Sequence, residues 1–404
     1  MNPLLSHTVT PPPQLQISIH NMETIYLDHG ASTPVDKKVL KAMRPYFSKD
    51  FGNPGSIHAY GQKAQKALDQ ARSKISTSLG VKFGEIIFTS SATEANNLFI
   101  KGSFEGCSIS SPKAIISSIE HESVSEAAKA LEAKGLEVIE LPVSKEGIVD
   151  MKSLKDALDS SVCFVSIIYA SNEIGTIQPI KEIGEMIEEY KQKNGSKYPL
   201  FHTDAVQAFQ YIDIDVNKLH LDALTISGQK IYGPKGVGAL YLKEEIKDLI
   251  RPQMIGGHHE FSIRSGTPNI PAIVGMGKAV EMVDRDRVSN REKTEKLRDM
   301  FLRELKKKNL DIEVNGSLSQ RIPNNLNIYF PGTTGEELLI KLDMVGVAAS
   351  TGSACSVKAV KKSKVIESLG FDDDRAGSSI RFTLGRDNTE KQIIETVKRV
   401  VSVL

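Results

Sequence analysis

The chain has 404 residues, with 51 Lys and Arg against 50 Asp and Glu, and this balance argues against a protein that coats nucleic acid or an acidic membrane. A composition of 40% hydrophobic and 25% charged residues excludes a disordered chain, and no apolar stretch approaches the roughly 20 residues that a membrane-spanning helix needs. The 3 cysteines include no C-x-x-C pair, which excludes a disulfide framework and a cysteine-rich metal cage and indicates a reducing, cytoplasmic compartment.

The first 36 residues divide into two parts. Residues 1–21 carry no charged side chain and contain three consecutive prolines, unlike a signal peptide or a mitochondrial transit peptide, so a disordered extension is predicted. Residues 22–36 are expected to form an N-terminal segment that packs with a small domain at the other end of the chain.

From residue 80 onward, strand-like apolar runs alternate with amphipathic stretches of helix length. Helices are predicted at 62–79, 123–134 and 180–193. Strands are predicted at 85–89, 113–119, 137–143, 162–170, 199–204, 222–227 and 237–242. Buried strands separated by helices are typical of a parallel sheet covered on both faces. The predicted fold class is therefore α/β, with a mainly parallel seven-stranded sheet in a large domain over residues 37–285.

The pattern changes after about residue 290. A long charged helix is predicted at 287–308, and shorter elements alternate after it. These are a strand at 325–330, a helix at 335–344, a strand at 379–384 and a C-terminal helix at 388–403. The sequence therefore predicts a smaller α+β domain over residues 286–404.

Ligands of open parallel sheets bind beyond the carboxyl ends of the strands, so the polar residues that follow each strand are informative. Thr93 lies between a strand and a helix, where it is either part of an ordinary helix N-cap or part of a phosphate site at the helix N-terminus. His121 follows the next strand and is either structural or able to stack on a flat ring. Asn172 follows a third strand.

Two further strand ends carry charged side chains. Asp204 follows a buried strand, where a carboxylate is costly unless it is paired, for example with a protonated pyridine nitrogen. Lys230 follows an apolar strand among glycines, which favours an amine suited to Schiff-base chemistry over a solvated surface charge. Together with the phosphate turn and the histidine, in this order along the chain, these residues predict a site for pyridoxal 5′-phosphate (PLP).

Eight ordered motifs from Thr24 to the C-terminus resemble the NifS/IscS type of cysteine desulfurase, within the class V aminotransferase group of fold type I PLP enzymes. The motifs are FTSSATEANN, EHESV, SNEIGTIQP, HTDAVQA, SGQKIYGPKGVGAL, RSGTPN, STGSAC and IRFTLGR. The resemblance implies the PLP-dependent transferase fold of type I. It also implies that sulfur is removed from L-cysteine to give L-alanine and a cysteine persulfide.

The resemblance also implies roles for individual residues. Lys230 matches the lysine that bonds covalently to PLP and removes the Cα proton, and Asp204 matches the acid on the pyridine nitrogen. His121 matches the histidine that stacks on the ring and takes part in proton transfer. Asn172 and Arg381 match residues that hold the substrate carboxylate. The remaining predicted contacts to the cofactor are Ala92, Thr93, Asn172, Gln207, Ser227, Gln229 and Thr267.

Thr267 matches a threonine that reaches the phosphate of the neighbouring subunit, which implies a homodimer. Cys355 matches the catalytic cysteine that carries the persulfide and passes its sulfur to a docking acceptor protein. Its Gly- and Ser-rich surroundings and the nearby lysines independently suit an exposed, easily ionised thiol. Cys163 lies in an apolar strand and is interpreted as core, and Cys107 is interpreted as an incidental thiol.

The chain departs from the family pattern at three places. Gln229 replaces the usual histidine before the PLP lysine, and the glycine-rich segment 256–267 contains His258, Phe261 and Ser262 in place of Gly, Arg and Gly. A basic stretch at 361–364 is either a solvated helix start or an altered docking surface for an acidic acceptor. His258 and His259 lack a third ligand, so no metal is predicted.

The departures keep several alternatives open. The sulfur could serve iron–sulfur cluster assembly, tRNA thiolation or DNA phosphorothioation. The same fold also hosts PLP-dependent aminotransferases and β-lyases, which would not need Cys355. A homologue that retains the fold as a non-catalytic scaffold is a further alternative.

Overall fold

The computed structural model describes residues 23–352 and 362–404. The predicted extension at 1–21 and the cysteine Cys355 lie outside the described residues. The described chain begins with strand β1 (Ile25–Tyr26), helices α1 (Lys37–Met43) and α2 (Pro45–Ser48), and the longer helix α3 (Ala59–Leu79). No helix of the described parts is long and apolar enough to cross a lipid bilayer.

A seven-stranded sheet forms the centre of the large domain. Its strands are β2 (Ile86–Thr89), β3 (Lys113–Ser117), β4 (Glu137–Leu141), β5 (Val162–Ser166), β6 (Leu200–Asp204), β7 (Ala223–Ser227) and β8 (Gly238–Leu242). The spatial order is β2-β8-β7-β6-β5-β3-β4. Strand β8 runs antiparallel to both of its neighbours, and the other pairs are parallel. The predicted α/β class and mainly parallel sheet are confirmed.

Four helices connect these strands. They are α4 (Ala92–Gly106), α5 (Glu122–Lys129), α6 (Met151–Ala157) and α7 (Ile180–Asn194). All residues of β5, β6, β7 and β8 are buried, which explains the predominantly apolar sequences of β5, β7 and β8, while β6 ends in the buried polar residues His202, Thr203 and Asp204. The predicted strand at 162–170 extends beyond β5, which ends at Ser166, but Ile167 and Tyr169 still donate to the carbonyls of His202 and Asp204 in β6 at 3.1 and 2.9 Å.

The second half of the chain begins with the long helix α8 (Ile270–Lys306). It is followed by β9 (Glu313–Val314), β10 (Asn325–Tyr329), α9 (Gly335–Met344), β11 (Val347–Ala348), α10 (Lys364–Ser368), α11 (Asp373–Gly377), β12 (Ser379–Thr383) and α12 (Glu390–Val403). Strands β12, β10 and β9 form an antiparallel sheet in that order. The helices α9 and α12 pack with this sheet around a core of their own.

The helix predicted at 287–308 is only the second half of α8. Ile273 and Val280 of its first half pack in the core of the large domain, whereas Phe301 of its second half packs in the small-domain core. A sequence boundary at 285 therefore falls inside one continuous helix. The glycines of the first half weaken its helix signal, but Gly277 allows α8 to lie against Ala71 of α3, where an added Cβ would come within 2.8 Å.

The N-terminal segment returns to the small-domain sheet. Strand β1 pairs in parallel with β11, and Asp28 forms a bridge with Thr383 of β12. The His29 N–H then donates to the Thr383 carbonyl at 3.1 Å. Beyond these contacts, residues 30 and 31 lie at the carboxyl ends of the central strands.

A buried ion pair fixes the segment that departs from the family pattern. Arg72 of α3 and Glu260 lie 2.7 Å apart with side chains only 4% and 2% exposed, and the Phe88 N–H donates to the same carboxylate at 2.8 Å. Glu260, Phe261 and Ser262 adopt φ values of 46°, 57° and 65°, which glycine accepts more readily than other residues. The pair therefore holds a strained turn against β2.

Replacing Glu260 by glutamine is expected to lower the free energy of unfolding by about 3–5 kcal/mol, because it leaves the Arg72 charge buried without its counter-charge. The measurement is urea denaturation of the purified protein. The matched control is Glu281→Gln, which removes an exposed partner of Lys74 and should cost at most about 1 kcal/mol. Equal losses in the two variants would contradict this account of the pair.

Candidate active site

The Lys230 amine lies where the N-terminal segment meets the end of β7. Lys230 ends a 3₁₀ turn that follows this strand, and its Nζ donates to the carbonyls of Gly30 at 2.7 Å and Ala31 at 2.6 Å. The turn is held from the same segment, because the Thr33 N–H and hydroxyl both donate to the Gln229 carbonyl at 3.0 and 2.9 Å. The backbone carbonyl of Gln229 thus ties the turn to the N-terminal segment.

Asp204 ends the neighbouring strand β6 and is 4% exposed. Its Oδ1 accepts a hydrogen bond from the Val206 N–H at 3.0 Å, and its Oδ2 accepts one from the Asn96 amide at 2.8 Å. Gln207 follows on the same turn and donates to the Gly30 carbonyl at 3.0 Å, which also accepts from Lys230. Asp204, Gln207 and Lys230 are therefore brought together at the carboxyl ends of β6 and β7.

His121 is the N-cap of α5. Its Nδ1 accepts a hydrogen bond from the Ser123 N–H at 3.0 Å and lies 2.8 Å from the Ser123 hydroxyl. Because Nδ1 is an acceptor, the proton of the neutral ring is on Nε2. The Asn96 amide donates to the same hydroxyl at 2.8 Å, so His121 and Asp204 are joined through Asn96 and Ser123. Neither Asn96 nor Ser123 is among the site residues predicted from the sequence.

The turn before α4 brings a helix N-terminus to the end of β7. Ser91 is the N-cap and accepts from the Glu94 N–H at 3.1 Å, so the N-cap interpretation holds for Ser91, while Ala92 and Thr93 begin the helix. Ser227 pairs with Gly238, where an added Cβ would come within 2.6 Å of the Ser91 carbonyl carbon. Only a residue without a side chain at 238 allows β8, beside Ser227, to approach the start of α4 this closely.

Arg381 lies on β12 and is 2% exposed. One terminal nitrogen donates to the carbonyls of Asn172 at 3.0 Å and Gly352 at 3.1 Å, and the other pairs with Asp28 at 2.9 Å. Its Nε is buried and has no partner among the described residues. Arg381 thus joins Asn172 to the segment that precedes Cys355, and its guanidinium keeps an unused donor.

Two buried glutamates lie beside these residues. Burial raises the pKa of Glu120 to about 8, and the charge of Asp204 acts in the same direction. Burial also raises the pKa of Glu173, which accepts from the Ser363 hydroxyl at 2.5 Å and lies directly against Gly352. Glu173 therefore contacts Gly352, just before the undescribed stretch 353–361, and Ser363, which follows that stretch by one residue.

The remaining predicted residues lie at the surface. Thr267 is exposed and lines a small cavity with Thr89 and Ser90. Lys362 and Lys364 are exposed and pair with Asp373 and Glu126, so carboxylates partly offset the charge of the described end of the basic stretch. No cluster of three metal-ligating side chains occurs in residues 23–352 and 362–404.

The arrangement fits PLP. Asp204 offers a buried carboxylate to a pyridine nitrogen, and Lys230 offers a primary amine beside it. The start of α4 offers free N–H groups and the positive end of a helix dipole to a phosphate, with the Ser227 hydroxyl nearby. Gly238 keeps this helix start clear of side chains.

Comparisons with known proteins agree with this geometry. The family model described as "Aminotransferase class-V" matches residues 25–395. The chain is 42% identical to "Cysteine desulfurase IscS" of Dictyoglomus turgidum, over 94% of this chain and 95% of that protein. It is also 42% identical to "Putative cysteine desulfurase IscS 1" of Bacillus subtilis, over 95% of this chain and 99% of that protein.

Solved structures are also similar. A structure titled "NIFS-LIKE PROTEIN" is 34% identical, with a TM-score of 0.87 over 94% of this chain and all of that one. A structure titled "SspA in complex with cysteine" is 33% identical, with a TM-score of 0.78 over 91% of this chain and all of that one. The predicted resemblance is confirmed over nearly the whole described chain.

Proposed function

The chain belongs to the aminotransferase class-V family, and we infer that it is a cysteine desulfurase, which uses PLP to take sulfur from L-cysteine and leave L-alanine. The observation that carries this function is that Lys230, Asp204 and His121 meet at the carboxyl ends of β7, β6 and β3, in a chain whose relatives are named cysteine desulfurases.

When bound, PLP supplies an electron sink that makes the Cα proton of an amino acid easier to remove. Lys230 takes this proton at its Nζ, which the carbonyls of Gly30 and Ala31 hold at the end of β7. Asp204 binds the pyridine nitrogen, and its two hydrogen-bond donors fix the plane of the carboxylate. His121 would stack on the ring, and its Nε2 would be the nitrogen that takes part in proton transfer, because Nδ1 is occupied by Ser123.

The other cofactor contacts divide between ring and phosphate. Gln207 faces the ring hydroxyl from a turn shared with Asp204. Ala92 and Thr93 at the start of α4, together with Ser227 and Gln229, would hold the phosphate. The family histidine would add a charge at residue 229, so the neutral amide is a weaker partner for phosphate than an imidazolium.

Arg381 and Asn172 bind the substrate carboxylate. The unused Nε of Arg381 can form a charge-assisted hydrogen bond with that carboxylate, and Asn172 is held beside it through its own carbonyl. The same guanidinium binds the Gly352 carbonyl, three residues before Cys355. The residue that holds the substrate therefore also holds the start of the segment whose thiol receives the sulfur.

Cys355 takes the substrate sulfur as a persulfide and transfers it to an acceptor protein that docks beside the segment. Support for this arrangement comes from Glu173, which contacts Gly352 on one side of the segment and Ser363 on the other. Lys362 and Lys364 are exposed beside this segment. Their ammonium groups could pair with carboxylates of an acidic acceptor in place of Asp373 and Glu126.

The protein functions as a homodimer in which Thr267 of each subunit reaches the phosphate of the other. An exposed apolar patch, defined as Phe51, Ile57, Tyr60, Met254 and Ile255, supports this assembly. The rings of Phe51 and Tyr60 are in contact, and Gly55 packs beside His259, which brings the two parts of the patch together. An apolar patch of this kind typically marks an interface.

Replacing Ile57, which is 93% exposed, by glutamate is expected to dissociate the dimer, because the carboxylate would lose its hydration at the interface. Sedimentation velocity should show two 44.3 kDa chains together in the native protein and single chains in the variant, with weaker PLP binding. The control is Met344→Glu, at an exposed position of the small domain. A native protein that sediments as single chains would contradict the dimer.

The test of the function is product analysis. Purified enzyme loaded with PLP is given L-cysteine and a thiol reductant, and L-alanine and sulfide are quantified. A desulfurase forms the two in equal amounts. Pyruvate and ammonia in place of alanine would identify a β-lyase, and amino transfer to a 2-oxo acid without sulfide would identify an aminotransferase.

A further inference from the structure

We propose that Asn96 is a positioning residue that sets Asp204 and His121 relative to one another; the proposal rests on the function inferred above. Asn96 lies in the second turn of α4, is 0% exposed and faces the end of β6. Its amide nitrogen donates to Asp204 Oδ2 at 2.8 Å and to Ser123 Oγ at 2.8 Å. One side chain therefore contacts both the acid of the pyridine nitrogen and the residue that holds the imidazole.

The chemistry of the partners fixes the orientation of this amide. A carboxylate only accepts hydrogen bonds, so the NH₂ group of Asn96, and not its carbonyl oxygen, must face Asp204. Both amide protons are then used, one on Asp204 and one on Ser123. Because Asn96 donates to the Ser123 oxygen, the hydroxyl proton is available to His121 Nδ1 at 2.8 Å.

The hydrogen bond from Asn96 to Ser123 therefore gives His121 Nδ1 a second hydrogen-bond donor. Nδ1 already accepts the Ser123 N–H at 3.0 Å, and the hydroxyl of Ser123 adds to it. The effect on Asp204 is a donor on the oxygen that Val206 does not bind. Asn96 thus supports the carboxylate and the imidazole through hydrogen bonds that share a single amide.

A role in packing alone does not account for this residue. The Oδ1 atom of Asn96 is buried and has no hydrogen-bond partner among the described residues. An unsatisfied buried carbonyl costs free energy, which leucine of similar size would avoid. The two hydrogen bonds that the Asn96 amide donates to Asp204 and Ser123 offset this cost.

The test compares Asn96→Leu and Ser123→Ala with a matched control, Ser103→Ala. Ser103 is a buried polar residue of the same helix whose hydroxyl has no partner in the described part of the chain. The readouts on the PLP-loaded enzyme are the dissociation constant of PLP, the pH profile of its visible absorption, kcat and KM for L-cysteine. The ¹⁵N resonance of His121 Nδ1 after selective histidine labelling reports its hydrogen bonding directly.

Asn96→Leu is expected to raise the PLP dissociation constant and lower kcat by about tenfold or more, with KM nearly unchanged, because a hydrogen bond to a charged group is lost. Its pH profile should shift. Both Asn96→Leu and Ser123→Ala should move the Nδ1 resonance in the same direction, since both weaken the second donor. Ser103→Ala should leave every readout at its native value.

Native PLP affinity, pH profile and Nδ1 resonance in Asn96→Leu would overturn the proposal. If that variant fails to fold, an unchanged Nδ1 resonance in Ser123→Ala would overturn it. PLP affinity and the resonance do not depend on the products formed. A native enzyme without desulfurase activity, but with these shifts in the variants, would therefore refute the proposed function and leave the role of Asn96 standing.

Discussion

Replacing Lys230 by alanine is expected to lower the rate of L-alanine formation from L-cysteine by about 10³-fold or more, because the base that removes the Cα proton is lost. Lys230 is the amine held at the end of β7 by two carbonyls of the N-terminal segment. The variant should still bind PLP through Asp204 and the start of α4. Treatment with borohydride, followed by denaturation, should leave the cofactor covalently attached to the native protein but not to the variant.

The matched control for this prediction is Lys235→Ala. Lys235 is exposed in the same glycine-rich turn, five residues after Lys230. Its loss changes the charge of the turn by the same amount, but it should leave turnover within about twofold, as is usual for an exposed charge. Turnover in Lys230→Ala within tenfold of the native rate would refute the role of Lys230.

Replacing Cys355 by alanine is expected to leave the visible absorption of bound PLP unchanged and to lower alanine and sulfide formation by about 10³-fold or more. In the proposed mechanism the sulfur passes to Cys355, whereas Lys230 and Asp204 bind and activate the cofactor. An aminotransferase or β-lyase would not need this thiol, so the variant separates these alternatives from a desulfurase.

Cys107 provides the control for Cys355. The neighbouring Cys163 thiol lowers the pKa of Cys107, which is partly exposed, so Cys107 is the described thiol best suited to compete for the sulfur. If any accessible thiolate could receive the sulfur, Cys107→Ala would also reduce turnover. We expect it to retain the native rate. Native turnover in Cys355→Ala would refute the assignment of the catalytic cysteine.

The central sheet could be predicted because strands that are buried on both faces have continuous apolar sequences, as β5 and β7 do. The continuity of α8 could not, because the glycines that let its first half pack closely on α3 weaken the helix signal there. The end of β5 at Ser166 was also beyond the sequence pattern. Residues 167–170 remain apolar beyond Ser166 because they are buried and still run beside β6, to which Ile167 and Tyr169 donate hydrogen bonds.

The chemistry-bearing residues were predictable because each follows a strand, as Asp204 and Lys230 do. The roles of Asn96 and Ser123 could not be predicted, because their hydrogen-bond partners lie on other elements. A buried amide in a helix also has no distinctive sequence pattern. The ion pair between Arg381 and Asp28 could not be predicted either, because its two residues lie near opposite ends of the sequence.

The most direct test of the desulfurase assignment is mass spectrometry of the peptide that contains Cys355, after the PLP-loaded enzyme has reacted with L-cysteine without a reductant. One additional sulfur atom on Cys355, in equal amount to the L-alanine formed and absent from Cys107, is the predicted result. L-Cysteine consumed to pyruvate and ammonia, with Cys355 left as a free thiol, would contradict it.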